Sequence, residues 1–127
     1  QLAVPYLGYA CWTELRVGKQ IYSIYSTHGW SGARFKHTKI KAVMDMAAWI
    51  HGDVIAMGHV HSIAVEPIIK QVVKHSQVVE QKCTVILTGS YMSWDRSYAQ
   101  MANYPITKLG SPKVKLMSSE HDVHASV

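Results

Sequence analysis

The sequence contains no apolar run of about eighteen residues, the length that a membrane-spanning helix requires. Its opening segment, QLAVPYLGYACWTELRVGK, also lacks the charged-then-apolar order of a signal peptide. Cysteine is scarce, because Cys11 and Cys83 are the only two and their separation fits neither a C-x-x-C metal pair nor a disulfide framework. These absences predict a soluble, cytoplasmic protein whose thiols stay free.

Linkers, internal repeats and low-complexity tracts are absent as well. A chain of 127 residues with 48% hydrophobic and 17% charged residues has the composition of one compact domain, so we expect a single domain over residues 1–127. Thirteen Lys and Arg against eight Asp and Glu give a formal charge of +5, which favours anionic partners such as phosphoesters or nucleic acid. The basic residues form no dense run, which argues against a dedicated nucleic-acid-binding module.

Hydrophobic periodicity predicts one amphipathic helix and a dominant sheet. Apolar residues recur at three- and four-residue spacing from Lys36 to His51, Gly52 closes that run, and Lys39 falls off the apolar face. Residues 89–105 have weak helical character. Strands are expected at 9–17 and 20–27, which form a hairpin, and at 53–57, 63–65, 67–74, 77–88 and 113–117. The predicted class is therefore α/β to α+β with the sheet dominant.

Eight histidines are the compositional oddity, and three of them follow predicted strands. The strand DVIAM runs directly into Gly58-His59-Val60-His61, and His28 follows another strand and precedes Gly29. The two histidines of H-x-H point to one side if the backbone stays extended, and a βαβ crossover would make the two strands neighbours. Imidazole binds Zn, Mn, Fe, Co and Ni, so these three are candidate metal ligands at one sheet edge. The alternative is that each is a half-buried polar cap.

The series Ser26-Thr27-His28-Gly29, then an amphipathic helix, then DVIAMGHVH resembles the carboxyl-terminal half of calcineurin-like metallophosphoesterases, over roughly residues 9–90. In that family a β-sandwich flanked by helices holds two metal ions. The ligands come in order from a D-x-H block, a G-D-x-x-D block, a G-N-H-[D/E] block, a lone histidine and a G-H-x-H block. The resemblance implies a partial metallophosphoesterase β-sandwich, with sheet dominant and one amphipathic helix.

The same resemblance implies roles for the histidines. His28 corresponds to the lone histidine and shares one metal with His59, while His61 binds the other metal. Two divalent transition metals per intact site, Mn, Fe, Zn or Ni, would activate hydroxide for attack on a phosphomonoester or phosphodiester, which includes nucleotides and nucleic acid. The resemblance thus implies a hydrolase of phosphoester bonds.

Only the last two blocks of that series are present. Gly52-Asp53 does not begin a G-D-x-x-D block because position 56 is Ala56, and no Asn-His pair exists. Asp122-Val123-His124 spells D-x-H, but it is either tail or edge-strand sequence or a circularly permuted first block. Three neutral histidines cannot hold two cations close together, so we expect the carboxyl-terminal portion of a longer domain, inactive alone and without a catalytic acid. Apolar surface left exposed by the absent part would favour oligomers.

Other residues have open alternatives. Arg34 and Lys36 follow the His28 loop, and Arg34 is a candidate for binding substrate phosphate through its paired donors, or else belongs to a solvated loop. The segment around Tyr91, Trp94 and Arg96 would either stack on a base or pack against the core. The competing function is a non-enzymatic β-rich module for nucleic-acid binding or assembly, in which the histidines are structural.

Overall fold

The computed structural model describes residues 7–29, 36–104 and 106–127, which form seven strands and two helices. In chain order the elements are β1 (Ala10–Val17), β2 (Gln20–Thr27), α1 (Lys36–Met46), β3 (Val54–Met57), β4 (Ile63–Lys74), β5 (Gln77–Thr88), α2 (Tyr98–Met101), β6 (Lys113–Leu116) and β7 (Val123–Ser126). The sheet-dominated, mixed α+β class expected from the sequence is confirmed, and the short α2 lies within residues 89–105, where the sequence predicts weak helical character. Neither described helix is long and apolar enough to cross a bilayer.

The larger sheet has the strand order β1-β2-β3-β5-β4, and its centre is parallel. β2 pairs with β3 and β3 pairs with β5 in parallel, whereas β1–β2 and β4–β5 are antiparallel hairpins. The chain between β2 and β3 contains α1, so the expected βαβ unit is present. Thr27 aligns with Met57, and Met57 with Leu87. The carboxyl ends of β2, β3 and β5 therefore meet at one edge of the sheet.

Alternation along β3 divides the core into two layers. Ile55 belongs to the cluster that includes Val43 and Ala47 of α1, while Val54 belongs to a second cluster that includes Val123 of β7. Because successive strand residues point to opposite faces, α1 covers one face of the sheet and the β6–β7 hairpin covers the other. Full burial of each such aliphatic side chain stabilises the fold by about 1.5–3 kcal/mol.

The helix is shorter than its apolar spacing predicts. α1 ends at Met46, and the amide of Ala47 donates to the carbonyl of Met44 at 3.0 Å, so the chain continues in tighter turns rather than α-helix. Gly52 does not cap it. A Cβ placed on buried Gly52 would lie 2.9 Å from Cζ3 of Trp12, so a larger residue there would force the Trp12 ring to shift.

The break expected between residues 65 and 67 is absent, because β4 runs through Pro67, which pairs with Thr84. β4 is an edge strand, so a missing amide hydrogen at Pro67 costs no ladder bond on its open side. The turn to β5 uses His75 and Ser76 with φ of 50° and 63°, the signature of a tight two-residue hairpin. β3 pairs only with Thr84–Leu87 of β5, so β5 pairs with β4 alone toward this turn.

Most of the exposed large apolar side chains of the described chain lie in three regions. These regions are the β1–β2 hairpin, the outer part of the β4–β5 hairpin and the segment 91–109. Their exposed members include Trp12, Leu15, Ile21, Ile69, Val73, Val78, Tyr91, Tyr98, Met101, Ile106 and Leu109. Contiguous exposed apolar surface is typical of interaction sites.

Candidate metal centre

His28 and His59 meet at the sheet edge where β2 and β3 end. The Nε2 atom of His28 lies 3.0 Å from the Nδ1 atom of His59, and the two rings meet edge to face with centroids 4.9 Å apart. The amide of His28 donates to the carbonyl of Tyr9 at 2.7 Å, and the amide of Gly58 donates to the carbonyl of Thr27 at 3.0 Å. Backbone hydrogen bonds thus fix the point at which each histidine leaves its strand.

Gly29 allows the chain to turn directly after His28. Its φ is +71°, and an added Cβ would collide with Cγ of Met57, a core residue that is 2% exposed. A side chain at position 29 is therefore excluded both by backbone conformation and by space. The His-Gly pair of the sequence motif has this physical basis.

The loop after β3 is not extended, so the condition under which both histidines of H-x-H would point to one side is not met. His59 and His61 both adopt left-handed backbone conformations, with φ of 64° and 51°. The amide of Val60, between them, donates to the carbonyl of Gly58 at 2.7 Å and closes a tight turn. Non-glycine residues in this region are uncommon, and such strain is concentrated at ligand-binding and active sites.

His61 stands apart from the His28–His59 pair. Its half-buried ring lies edge-on to Tyr104 with centroids 6.0 Å apart. Burial lowers the pKa of His61, and the nearby charges of His59 and Lys39 lower it further. The imidazole is therefore neutral at neutral pH, with a lone pair available to a cation. Within residues 7–29, 36–104 and 106–127, no group of three or more His, Cys, Asp or Glu side chains is placed to hold a metal ion.

Sequence reasoning missed Lys39, which it placed off the apolar face of α1. The side chain is only 8% exposed, and its Nζ donates to the carbonyl of Val60 at 2.9 Å and to Oγ of Ser62 at 3.2 Å. Burial lowers the pKa of Lys39. Its position four residues before Val43, which is fully buried, was the available signal.

The remaining candidates fall outside the pair. Arg34 lies outside the described residues, and the structure describes Lys36 only as the first residue of α1. Tyr91 is exposed and its hydroxyl lies 2.9 Å from Oγ of Ser111. The indole nitrogen of Trp94 donates to the carbonyl of Tyr104 at 2.7 Å. This hydrogen bond joins two parts of the segment between β5 and β6.

The D-x-H sequence at the carboxyl end lies far from the histidine pair. Asp122 accepts a hydrogen bond from Lys82 at 2.8 Å and lies 2.9 Å from Nε2 of His124. The neighbouring His121 contacts Asp53, which directly precedes β3, at 2.7 Å. His59 follows the other end of β3, a strand whose four residues span about 13 Å. Asp122 therefore lies just before β7 and His124 within β7 of the separate two-stranded sheet, near the start of β3 and away from the histidine pair.

Comparisons with known proteins identify no relative: no family model, no curated protein and no solved structure matches the chain. The metallophosphoesterase likeness therefore rests on the sequence motif alone.

Proposed function

We propose that this chain supplies part of the active site of a metal-dependent phosphoester hydrolase. In this proposal His28 and His59 bind one divalent cation and His61 binds a second. The observation that carries it is the 3.0 Å separation of two imidazole nitrogens, presented by loops that leave adjacent parallel strands at one edge. Open α/β sheets bind their ligands at the carboxyl ends of parallel strands.

The donor atoms of the pair fit a transition metal. Two imidazole nitrogens that each lie about 2.1 Å from one cation and subtend a right angle at it are about 3.0 Å apart. Nε2 of His28 and Nδ1 of His59 have this separation without any cation, as partners of a hydrogen bond. The chain therefore brings two ligand atoms to this distance. On cation binding the shared proton would move to the other nitrogen of its own ring, and both rings would turn toward the metal. Imidazole donors favour Mn, Fe, Zn or Ni over Mg or Ca.

His61 suits a neighbouring cation for a separate reason. Since its pKa is lowered, it offers a neutral ring nitrogen without first losing a proton. Its ring lies edge-on to Tyr104, whereas the ring of His59 lies edge-on to His28. Separate cations for His59 and His61 agree with this divergence.

The site needs anionic ligands that the described residues do not bring to it. Two divalent cations repel, and carboxylates normally hold them together. We therefore place the carboxylate ligands and the catalytic acid in a polypeptide segment outside these 127 residues, so the chain alone is inactive. When bound, such cations lower the pKa of water, which makes hydroxide available near neutral pH, and they offset charge on phosphoryl oxygens. The net charge of +5 attracts a phosphoester substrate, a nucleotide or nucleic acid included.

A second candidate is a non-enzymatic assembly module. It is favoured by the exposed apolar side chains of β1, β2 and the segment 91–109. In that case the contact between His28 and His59 is a hydrogen bond that fastens two loops together.

Isothermal titration with Mn²⁺ and Zn²⁺ tests the proposal, together with Mn²⁺-dependent hydrolysis of an aryl phosphodiester. The 127-residue chain is compared with a version extended upstream in its reading frame. We expect the 127-residue chain and the extended version to bind the cation, and only the extended version to turn over substrate. His59→Ala should abolish binding and turnover. His51→Ala is the matched control, because His51 is exposed and lies outside the pair. Absence of binding and turnover in both forms would select the assembly module.

A further inference from the structure

A buried lysine of α1 lies beneath the loop that carries His59 and His61. Lys39 is the one charged side chain among the buried residues of the described chain, at 8% exposure. Transfer of an ammonium group from water into a protein core is costly unless its charge is compensated. An apolar side chain would fill the same position on the buried stripe of α1 without that penalty. The contacts of Lys39 therefore need an explanation.

Within the part of the chain that the structure describes, the polar contacts of Lys39 go to one loop. Its Nζ donates to the carbonyl of Val60 at 2.9 Å and to Oγ of Ser62 at 3.2 Å, and this hydroxyl is 3.4 Å from the same carbonyl. The carbonyl of Ser62 in turn accepts from the amide of Gly89, just beyond β5, at 3.1 Å. Lys39 thus connects the helix to a loop that is itself tied to the neighbouring strand.

No carboxylate shares this role. Lys39 forms no ion pair among residues 7–29, 36–104 and 106–127, and the rest of the chain contains no Asp or Glu. The ammonium is therefore compensated by oxygens of the loop alone. Displacement of the loop would leave the buried ammonium of Lys39 without a hydrogen-bond acceptor. The lysine therefore stabilises the loop, and the loop stabilises the buried lysine.

Val60 is the residue through which the lysine acts. Its side chain is 5% exposed and belongs to the core cluster under α1, and its carbonyl accepts from Lys39. The side chain and the carbonyl of Val60 are thus both directed into the protein. The backbone on either side of Val60 must turn to allow this. His59 and His61 do so in left-handed conformations, and His59 then reaches His28.

We propose that Lys39 is a positioning residue that fixes the Gly58–Ser62 loop and thereby holds His59 against His28. The lysine does not touch the histidine pair or any ligand. Its effect on cation affinity rests on the proposed function, whereas its effect on the imidazole contact does not.

The test compares Lys39→Met with Lys41→Met in the metal-free chain. Lys41 is the control because it lies on the same helix, is exposed and pairs with Asp45. Long-range ¹H–¹⁵N NMR spectra of the imidazole rings report the shared proton between Nε2 of His28 and Nδ1 of His59. We expect this signature to be lost in Lys39→Met and kept in Lys41→Met. Circular dichroism and thermal melting show that each variant is folded.

Zn²⁺ titration provides the second measurement. Residues that orient metal ligands typically contribute about 10- to 100-fold to affinity, and we expect Lys39→Met to weaken binding by that factor and Lys41→Met to leave it unchanged. If the wild-type chain binds no Zn²⁺ but Lys39→Met still loses the imidazole signature, the proposed function fails and the positioning role stands. If Lys39→Met keeps the signature and the affinity, the positioning role is overturned and the proposed function stands.

Ser62→Ala keeps the test decisive if Lys39→Met does not fold. This variant removes one acceptor of the ammonium and retains the lysine, so the core keeps its charge. Because the carbonyl of Val60 still accepts from Lys39 in this variant, a partial weakening of the imidazole signature supports the proposal, and a signature identical to that of the wild-type chain contradicts it.

Discussion

The hydroxyl of Tyr22, within β2, lies 2.6 Å from the carbonyl oxygen of Met117, which follows β6. The same hydroxyl lies 3.0 Å from the carbonyl of Glu120 and accepts from the amide of Asp122 at 3.1 Å. The ring of Tyr22 is fully buried and stacks on His121 with centroids 4.5 Å apart. One side chain of the larger sheet thus forms hydrogen bonds with the backbone of the turn between β6 and β7.

Tyr22→Phe is therefore expected to loosen the β6–β7 hairpin. The ring still packs, but the turn loses a donor and an acceptor, so we expect a loss of about 1–3 kcal/mol in the free energy of unfolding. Urea denaturation measures the difference. Tyr91→Phe is the control. Because Tyr91 is exposed, this substitution should lower the free energy of unfolding by less than about 0.5 kcal/mol. Equal effects of the two substitutions would contradict the assigned role of Tyr22.

Thr84→Val is expected to stabilise the protein. Thr84 is 2% exposed, and its Oγ1 has no hydrogen-bond partner among the described residues. A buried hydroxyl without a partner carries a desolvation penalty that valine, of similar shape, does not, so the expected gain is about 1 kcal/mol. Thermal and urea unfolding measure it. Thr13→Val, on the half-exposed face of β1, should change stability less, and a destabilised Thr84→Val would show that the hydroxyl is satisfied in solution.

The pairing of Asp122 with Lys82 predicts a pH dependence at the acid end. The hydrogen bond from Lys82 lowers the pKa of Asp122 below its ordinary 3.8. The unfolded state then takes up the proton first, so this contribution is present above pH 3.8 and is lost as the pH falls through the lowered pKa. The stability difference between wild type and Asp122→Asn should therefore shrink as the pH is lowered below 3.8. When both proteins also carry Lys82→Met, the difference in stability between them should depend less on pH.

The two thiols should react at different rates. Burial raises the pKa of the Cys83 thiol, whereas Cys11 is half-buried in the edge strand β1. Since the thiolate is the reactive form, iodoacetamide should label Cys11 in the native protein and Cys83 only after unfolding. Peptide mass spectrometry after timed labelling distinguishes the two. Equal labelling in the native state would place Cys83 at the surface.

Cation binding should stabilise the fold through the histidine pair. A ligand present at about 100 times its dissociation constant stabilises the native state by about 2.7 kcal/mol. We expect Zn²⁺ at that excess to raise the melting temperature of the wild-type chain and of His51→Ala, and EDTA to reverse the shift. His59→Ala should show no shift. A shift retained in His59→Ala would mean that the cation binds elsewhere.

Local patterns predicted the meeting of β2 and β3 because an apolar strand, an amphipathic helix and a second apolar strand form a βαβ unit. Such a unit aligns the strand ends, and this brought His28 near His59. The left-handed conformations of His59 and His61 were not predictable in this way, because they arise from contacts made by Val60 with a distant helix.

Other features depend on long-range packing. Lys39 is polar by type, so periodicity assigned it to solvent, although its stem and ammonium are enclosed by the loop after β3. The position of the β6–β7 hairpin on the larger sheet depends on Tyr22, which is separated from its partner Met117 by 95 positions in sequence. The Tyr22 contact has no local sequence signal, and the only local signal for Lys39 is its spacing of four residues from Val43.

The short length of β3 divides the β4–β5 hairpin into unequal halves. Near β3 the strands are part of a wide sheet, whereas toward His75 and Ser76 they pair only with each other, and Val73 and Val78 there are exposed. A two-stranded ribbon is marginally stable by itself. Amide hydrogen exchange should therefore be fastest at the turn and slow progressively toward Thr84, so that the hairpin opens from its tip while the edge that carries His28 and His59 remains closed.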